Sequence, residues 1–240
     1  MIRLQKLIAN RGYCSRRKAE KLIVAGSVKV NNEVINTLGQ QVPEDAIIEI
    51  DGKVLIDDEK KYFLLNKPRG VLATTNDPKK RKTVIDLIDC QARLYPVGRL
   101  DYDTTGLIIL TNDGNLANLI MHPRHQIEKK YIVKIKTKLL KADIDKLTKG
   151  VKIDNVISAP SRIQKVRYDV NSDTTIFTLI IREGRNHQVK KMLKAIGKDV
   201  IKLKREAIGF LNTQGLKSGE YRPLTAKEVK KLYALKNNTN

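Results

Sequence analysis

The hydrophobic pattern changes period at Gly26, and that change divides the start of the chain into two kinds of structure. Before it, Leu4, Leu7 and Ile8, then Ala19, Leu22 and Ile23, recur at helical spacing. Ser15 stands where an N-cap belongs and Gly26 where a helix ends. After it, Val28 and Val30 alternate with Lys29, Asn31-Asn32 marks a turn, and Val34 resumes the alternation. Ile48 and Ile50 repeat it before Asp51-Gly52. Residues 1–56 therefore read as two short helices followed by a small sheet.

Charge is sorted along the same segment. Residues 1–30 hold eight basic residues and one acid, Glu20, whereas residues 31–60 hold two basic residues and eight acids. The first stretch reads as a binding face and the second as its scaffold. Arg16-Arg17-Lys18 falls in the first turn of the second helix, where cations oppose the helix dipole. Phosphate binding accounts for that placement, because helix amides and cations then point the same way. A solvated charge run is the plain alternative. Over the whole chain 47 Lys and Arg face 26 acidic residues, a formal net charge of +21. Such an excess strains a compact fold by self-repulsion unless a polyanion is the usual partner, though a generally basic surface would also produce it.

Other features exclude whole classes. Cys14 and Cys90 are too few and too far apart for a disulfide framework or a zinc site. No apolar run approaches the roughly 18 residues of a membrane span. Met1-Ile2-Arg3-Leu4-Gln5-Lys6 lacks the apolar stretch of a signal peptide. The expectation is a cytoplasmic monomer with no membrane partner. Hydrophobic residues make up 41% of the chain, enough for a sizeable core, which without Trp must rest on Ile, Leu and Val.

Asp57-Asp58-Glu59-Lys60-Lys61 reads as a charged linker, which puts one domain at 1–60 and a larger one at 61–240. In the second, strand-like runs recur at Tyr62–Leu65, Leu107–Leu110, Tyr131–Ile135, Ile176–Ile181 and Val200–Leu203. Helical patterns lie at Leu116–Met121, Ala142–Leu147 and Val189–Ile196, and Thr225 with Glu228 forms a capping box before Val229, Leu232 and Tyr233. Strands and helices mix without strict alternation, so the class is α+β with a mixed or antiparallel sheet. Asn237-Asn238-Thr239-Asn240 reads as a frayed tail.

The run from Pro96 to Gly114 carries the chemistry. Asp101, Asp103, Thr105 and Gly106 match the opening of a calcium loop, but such a loop needs Glu at its twelfth position, where this chain has Asn112. The apolar Leu107–Leu110 also predicts a strand there instead of a helix. The alternative is a loop that presents carboxylates at the mouth of a sheet, bracketed by Gly98 and Gly106. Arg99 could hold Asp101 or a phosphate. From spacing alone, Asp101 and Asp103 are equally well read as plain turn residues.

Two resemblances add to this reading. Arg3-Leu4-Gln5-Lys6, Ser15 through Glu20, Ile23 through Val30 and Val34 resemble the RNA-binding module of ribosomal protein S4. Gly98-Arg99-Leu100-Asp101, Thr104-Thr105-Gly106-Leu107 and Thr111-Asn112-Asp113-Gly114 resemble the catalytic motif of the ribosomal pseudouridine synthase family, in the branch that carries an S4-like module. Asn66-Lys67-Pro68-Arg69-Gly70, Glu128-Lys129-Lys130-Tyr131 and the run from Glu183 to Leu193 follow in that family's order. Together the matches span most of the chain. The resemblance implies that Asp101 is the essential aspartate and Tyr131 the active-site tyrosine. It implies that Lys190, or in its place Arg185, is the cation paired with Asp101. His187 and Tyr131 read equally well as structural residues. The residues implied to bind RNA are Arg3, Arg16, Arg17, Lys18, Lys67, Arg99, Arg185 and Lys191. The run Leu116 to Pro123 is more similar to members acting on large-subunit than on small-subunit rRNA.

The implied reaction moves uracil from its N1 link to a C5 link on the ribose, with no redox step and no added group, so no metal or organic cofactor is expected. A carboxylate serves it as nucleophile or as charge stabiliser. The competing reading is a non-catalytic RNA-binding or ribosome-assembly protein on the same scaffold.

Overall fold

The computed structural model describes residues 1–235, so the expected frayed tail at 237–240 lies outside the described residues. The chain packs as two units. The first is Met1–Lys61 together with Cys90–Leu94 and Thr111–Gly114. Its helices run Leu4–Asn10 and Arg16–Val24, and the Ser15 hydroxyl accepts from the Lys18 amide at 3.2 Å. The four-stranded sheet has the order Glu33–Val34, Val28–Val30, Ile48–Ile50, Lys53–Val54. Asn31 and Asn32 both take positive φ (49° and 69°), as do Asp51 and Gly52 (51° and 77°). This is the backbone that a two-residue hairpin demands and that these residue types tolerate. Leu4, Ile8, Ala19, Ile23, Val28, Ile48 and Ile50 close one core.

The presumed linker is tied down along its length. Arg11 Nε donates to Asp57 at 3.2 Å and Lys60 Nζ to the Asn10 carbonyl at 2.7 Å. The Asn112 side chain accepts from the Lys61 amide at 2.8 Å and donates to the Glu59 carbonyl at 2.8 Å. Lys60 and Asn112 thus bond backbone groups, while the Asp57 and Glu59 side chains stay exposed.

The second unit is Tyr62–Asp89, Tyr95–Leu110 and the chain from Asn115 on. A nine-stranded sheet runs Arg162–Asp169, Thr174–Ile181, Lys129–Lys136, Val200–Ile208, Thr105–Thr111, Tyr62–Lys67, Tyr221–Pro223, with two short strands paired to its interior. Lys129, Tyr131, Val133 and Ile135 are buried while Lys130, Ile132 and Lys134 are half-buried, the two-residue period expected of a sheet covered on one face. Leu64, Leu107 and Ile109 pack with Leu116, Ile120 and Leu232. The helix Ala226–Ala234 starts at the expected capping box, with both reciprocal bonds made. The strand Arg162–Asp169 escaped the sequence reading. It is an edge strand, almost wholly exposed and interrupted by a register shift between Gln164 and Arg167, so it shows no apolar alternation.

Thr105–Thr111 runs parallel to Val200–Ile208: Thr105 and Gly106 pair with Lys204 and Arg205. Gly106 sits at φ +106°, and a Cβ there would lie 2.2 Å from the Arg205 carbonyl oxygen. Gly106→Ala should therefore cost about 2 to 5 kcal/mol, combining overpacking with backbone strain. Gly39→Ala, at φ +82° with nothing within 4 Å, should cost only the strain. Urea unfolding of both variants checks this, and equal losses would contradict it.

Candidate active site

The loop between Pro96 and Thr105 is shaped from below. Lys67 is fully buried (0% exposed), and its Nζ donates to the carbonyls of Thr104 at 2.9 Å and Pro68 at 3.0 Å. This corrects its expected place among the RNA-binding residues: the ammonium props the loop and cannot reach a phosphate. The Gly70 amide donates to the Tyr102 carbonyl at 2.9 Å and the Thr104 amide to the Asp101 carbonyl at 3.1 Å, which turns the chain tightly at Asp101.

The helix Gln188–Ala195 brings a cation to this loop. Lys190 Nζ lies 3.1 Å from Asp101 Oδ2 and 2.6 Å from Asp103 Oδ1. His187, the N-cap at φ 52°, places Nδ1 3.1 Å from the same Asp101 oxygen. Burial works to lower the Lys190 pKa, but its hydrogen bonds to Asp103 and Asp101 outweigh it and leave the ammonium raised. The Lys190 hydrogen bond holds Asp103 below the usual carboxylate range. The cation between the two carboxylates is thus Lys190, and a strand, Thr105–Thr111, follows them. Arg185 is engaged elsewhere, with Nη2 3.2 Å from Glu183.

The two carboxylates differ in what they face. Asp101 lines a cavity of about 630 Å³, and Asp103 lies outside that lining with a more exposed side chain (48% against 22%). His187 and Lys190 complete Asp101's side, and Tyr131, Lys129 and Arg205 reach the cavity from the sheet. Tyr131 is buried, and Arg99 and Arg185 are exposed members of the lining. Lys191 is half-buried and ion-paired with Asp154. Arg3, Arg16, Arg17 and Lys18 are exposed on the first unit.

Comparison with known proteins decides the family. Residues 61–195 match RNA pseudouridylate synthase, and residues 2–48 match the S4 domain. The chain belongs to the RNA pseudouridylate synthase family. It is 48% identical to the Bacillus subtilis protein named ribosomal large subunit pseudouridine synthase B, over 98% of this chain and 97% of that one. It is 42% identical to an RNA pseudouridine synthase of Aquifex aeolicus, over 97% and 94%. A solved crystal structure of a pseudouridylate synthase superposes with a TM-score of 0.68 at 33% identity, over 97% of this chain and all of that one.

In this pseudouridylate synthase the sequence reading missed His187 at Asp101, and Lys129 and Arg205 in the cavity. Parity held the signal for Lys129, which stands two residues before Tyr131 on a strand and so shares its face. Burial brings Lys67 down to about 8 from 10.5, against the opposing pull of Asp103 and Asp101. Between those values the unfolded chain binds the extra proton, so this residue makes stability rise with pH there. The stability of the wild type relative to Lys67→Met should therefore increase from about pH 8 to pH 10 in urea titrations. A pH-independent difference would show that the ammonium is not desolvated.

Proposed function

We propose that the protein isomerises a uridine of ribosomal RNA, of the large subunit, to pseudouridine, with Asp101 as nucleophile or charge stabiliser. The observation that carries this is the Asp101 carboxylate on the wall of a cavity, held by Lys190 and His187, with Tyr131 in the same lining. Such a cavity suits a base flipped out of its stack, since the reacting carbons are out of reach inside a helix. Tyr131 offers the flipped ring a surface to stack on, and Lys190 sets a cation 3.1 Å from the Asp101 carboxylate. The choice of large-subunit RNA is supported by the similarity to the Bacillus subtilis enzyme of that name. Asp101→Ala should abolish pseudouridine formation in an rRNA transcript, read by carbodiimide labelling, while RNA binding survives. Asp103→Ala should keep substantial activity, because Asp103 is outside the cavity lining. The reverse pattern would overturn the assignment, and a wild type that binds the transcript without modifying it would favour an assembly factor.

The first unit serves as a docking module on rRNA. Arg16, Arg17 and Lys18 are exposed at a helix N-terminus and none forms an ion pair among the described residues, so their charges are available to phosphate. Each phosphate contact contributes roughly 0.7 to 0.9 to the salt slope of binding. Replacing all three with Ala should weaken RNA affinity and flatten the slope by up to roughly 2 to 3, with little effect on turnover at saturating RNA. Affinity measured against salt concentration checks this, and an unchanged slope would return the triplet to a solvated face.

A further inference from the structure

The sheet side of the cavity holds two cations without a counter-ion. Arg205 is the ladder partner of Tyr131, and Lys129 lies two residues before Tyr131 on the same strand. Arg205 is 3% exposed. Its Nε donates to the Leu107 carbonyl at 2.8 Å, and its Nη2 is buried with no hydrogen-bond partner. Lys129 is 7% exposed, and its Nζ reaches the Ile127 carbonyl only at 3.4 Å, a long and weak bond. Neither forms an ion pair among the described residues. Glu183, the acid that acts on Lys129, is taken up by Arg185 at 3.2 Å, by the Ala159 amide at 3.0 Å and by Gln188. Burying charge without a partner is costly, and clefts that do so are candidate sites for a complementary charge.

We propose that Lys129 and Arg205 receive the carbonyl oxygens of the flipped uracil and hold the negative charge that the base carries while it is detached from the ribose. This rests on the isomerase reading above. When the C1′–N1 bond breaks, its electron pair leaves with the base and spreads from N1 onto O2 and O4. The ring turns, C5 bonds to C1′, the proton on C5 is lost and N1 gains one, so no atom or electron is exchanged with a co-reactant. Cations fixed in a water-poor cavity stabilise such a charge far better than solvent-exposed ones. Lys129, as part of the sheet instead of the loop, is in place before the base arrives.

The titration of Lys129 supplies the test. Burial, and then the Arg205 charge, bring its pKa down to about 8, opposed by Glu183. Asp101, Lys190, His187, Tyr131, Arg99 and Arg185 are the other titratable or charged groups named in the cavity lining besides Arg205, and Lys67, also at about 8, lies under the Asp101 loop. The experiment is the single-turnover rate on a saturating rRNA transcript against pH for wild type, Lys129→Gln and Lys129→Arg, each checked for a native unfolding midpoint. Lys129→Met takes the place of a glutamine variant that does not fold. Lys129→Gln should lower the rate on the order of 10²-fold, as loss of one charge-stabilising donor does. RNA affinity should stay within about 3-fold, since the group acts on the barrier. Lys129→Arg should retain activity and carry the alkaline limb to higher pH, because guanidinium stays charged. An unchanged rate in Lys129→Gln would overturn the proposal, as would an alkaline limb that Lys129→Arg leaves in place. A loss confined to affinity, with a salt slope flatter by about 1, would mean that Lys129 binds a backbone phosphate, and would overturn it too. A wild type that forms no pseudouridine would refute the isomerase reading itself, an outcome distinct from all of these.

Discussion

The parallel seam at Gly106 sets the positions on which the site depends. Thr105–Thr111 meets Val200–Ile208 at only two residue pairs, and it does so because Gly106 has no side chain to hold the Arg205 backbone away. Arg205 then reaches back through Nε to the Leu107 carbonyl, which ties its side chain to the strand that the Asp101 loop enters. Tyr131 is paired to Arg205 from the other neighbouring strand, so its height in the cavity follows from the same register. Loop, tyrosine and arginine, scattered over a hundred residues of sequence, thus share one reference point. A slip of one residue at this seam would send the alternate side chains to the other face.

Around that seam the charges fall into two populations. On the loop side, Lys67 has two backbone carbonyls and Lys190 has two carboxylates. On the sheet side Lys129 and Arg205 have one carbonyl each and no carboxylate. The difference matters because the same burial acts on both. A cation whose hydrogen bonds are made is a structural prop, and it persists for the stability of the loop. A cation whose bonds are unmade costs stability, and its retention in a cavity is explained by what enters the cavity.

Much of the fold was legible because its elements obey short-range rules. The helices of the first unit follow from the spacing of Leu4, Leu7 and Ile8 and from the Ser15 cap, and the hairpins from Asn31-Asn32 and Asp51-Gly52. The strand Arg162–Asp169 was not legible, since an exposed edge strand has no buried face to impose alternation. Lys67 was misread for a related reason. Leu64, Leu65, Asn66 and Lys67 are all buried, so this part of the strand is covered on both faces, and a lysine in a basic-looking motif lost its access to solvent. The preference for Asp101 over Asp103 did not follow from spacing, which offers two equivalent turn carboxylates. In space the cavity, the His187 contact and the lower exposure of Asp101 distinguish them, and these come from residues that sequence separation hides.

The sharing of Lys190 between two carboxylates bears on the proposed chemistry. Asp103 takes the shorter contact, 2.6 Å, and Asp101 the longer, 3.1 Å. Counted formally, the two carboxylates and the lysine between them carry one net negative charge. Lys129 and Arg205, which reach the same cavity from the sheet, are cations without a carboxylate partner. Breaking the bond between ribose and uracil separates charge in the same sense, with the sugar becoming electron-poor and the base electron-rich. A cavity lined by a carboxylate and by cations without a carboxylate partner therefore offers both signs of charge to that separation, with groups placed by the backbone before substrate binds.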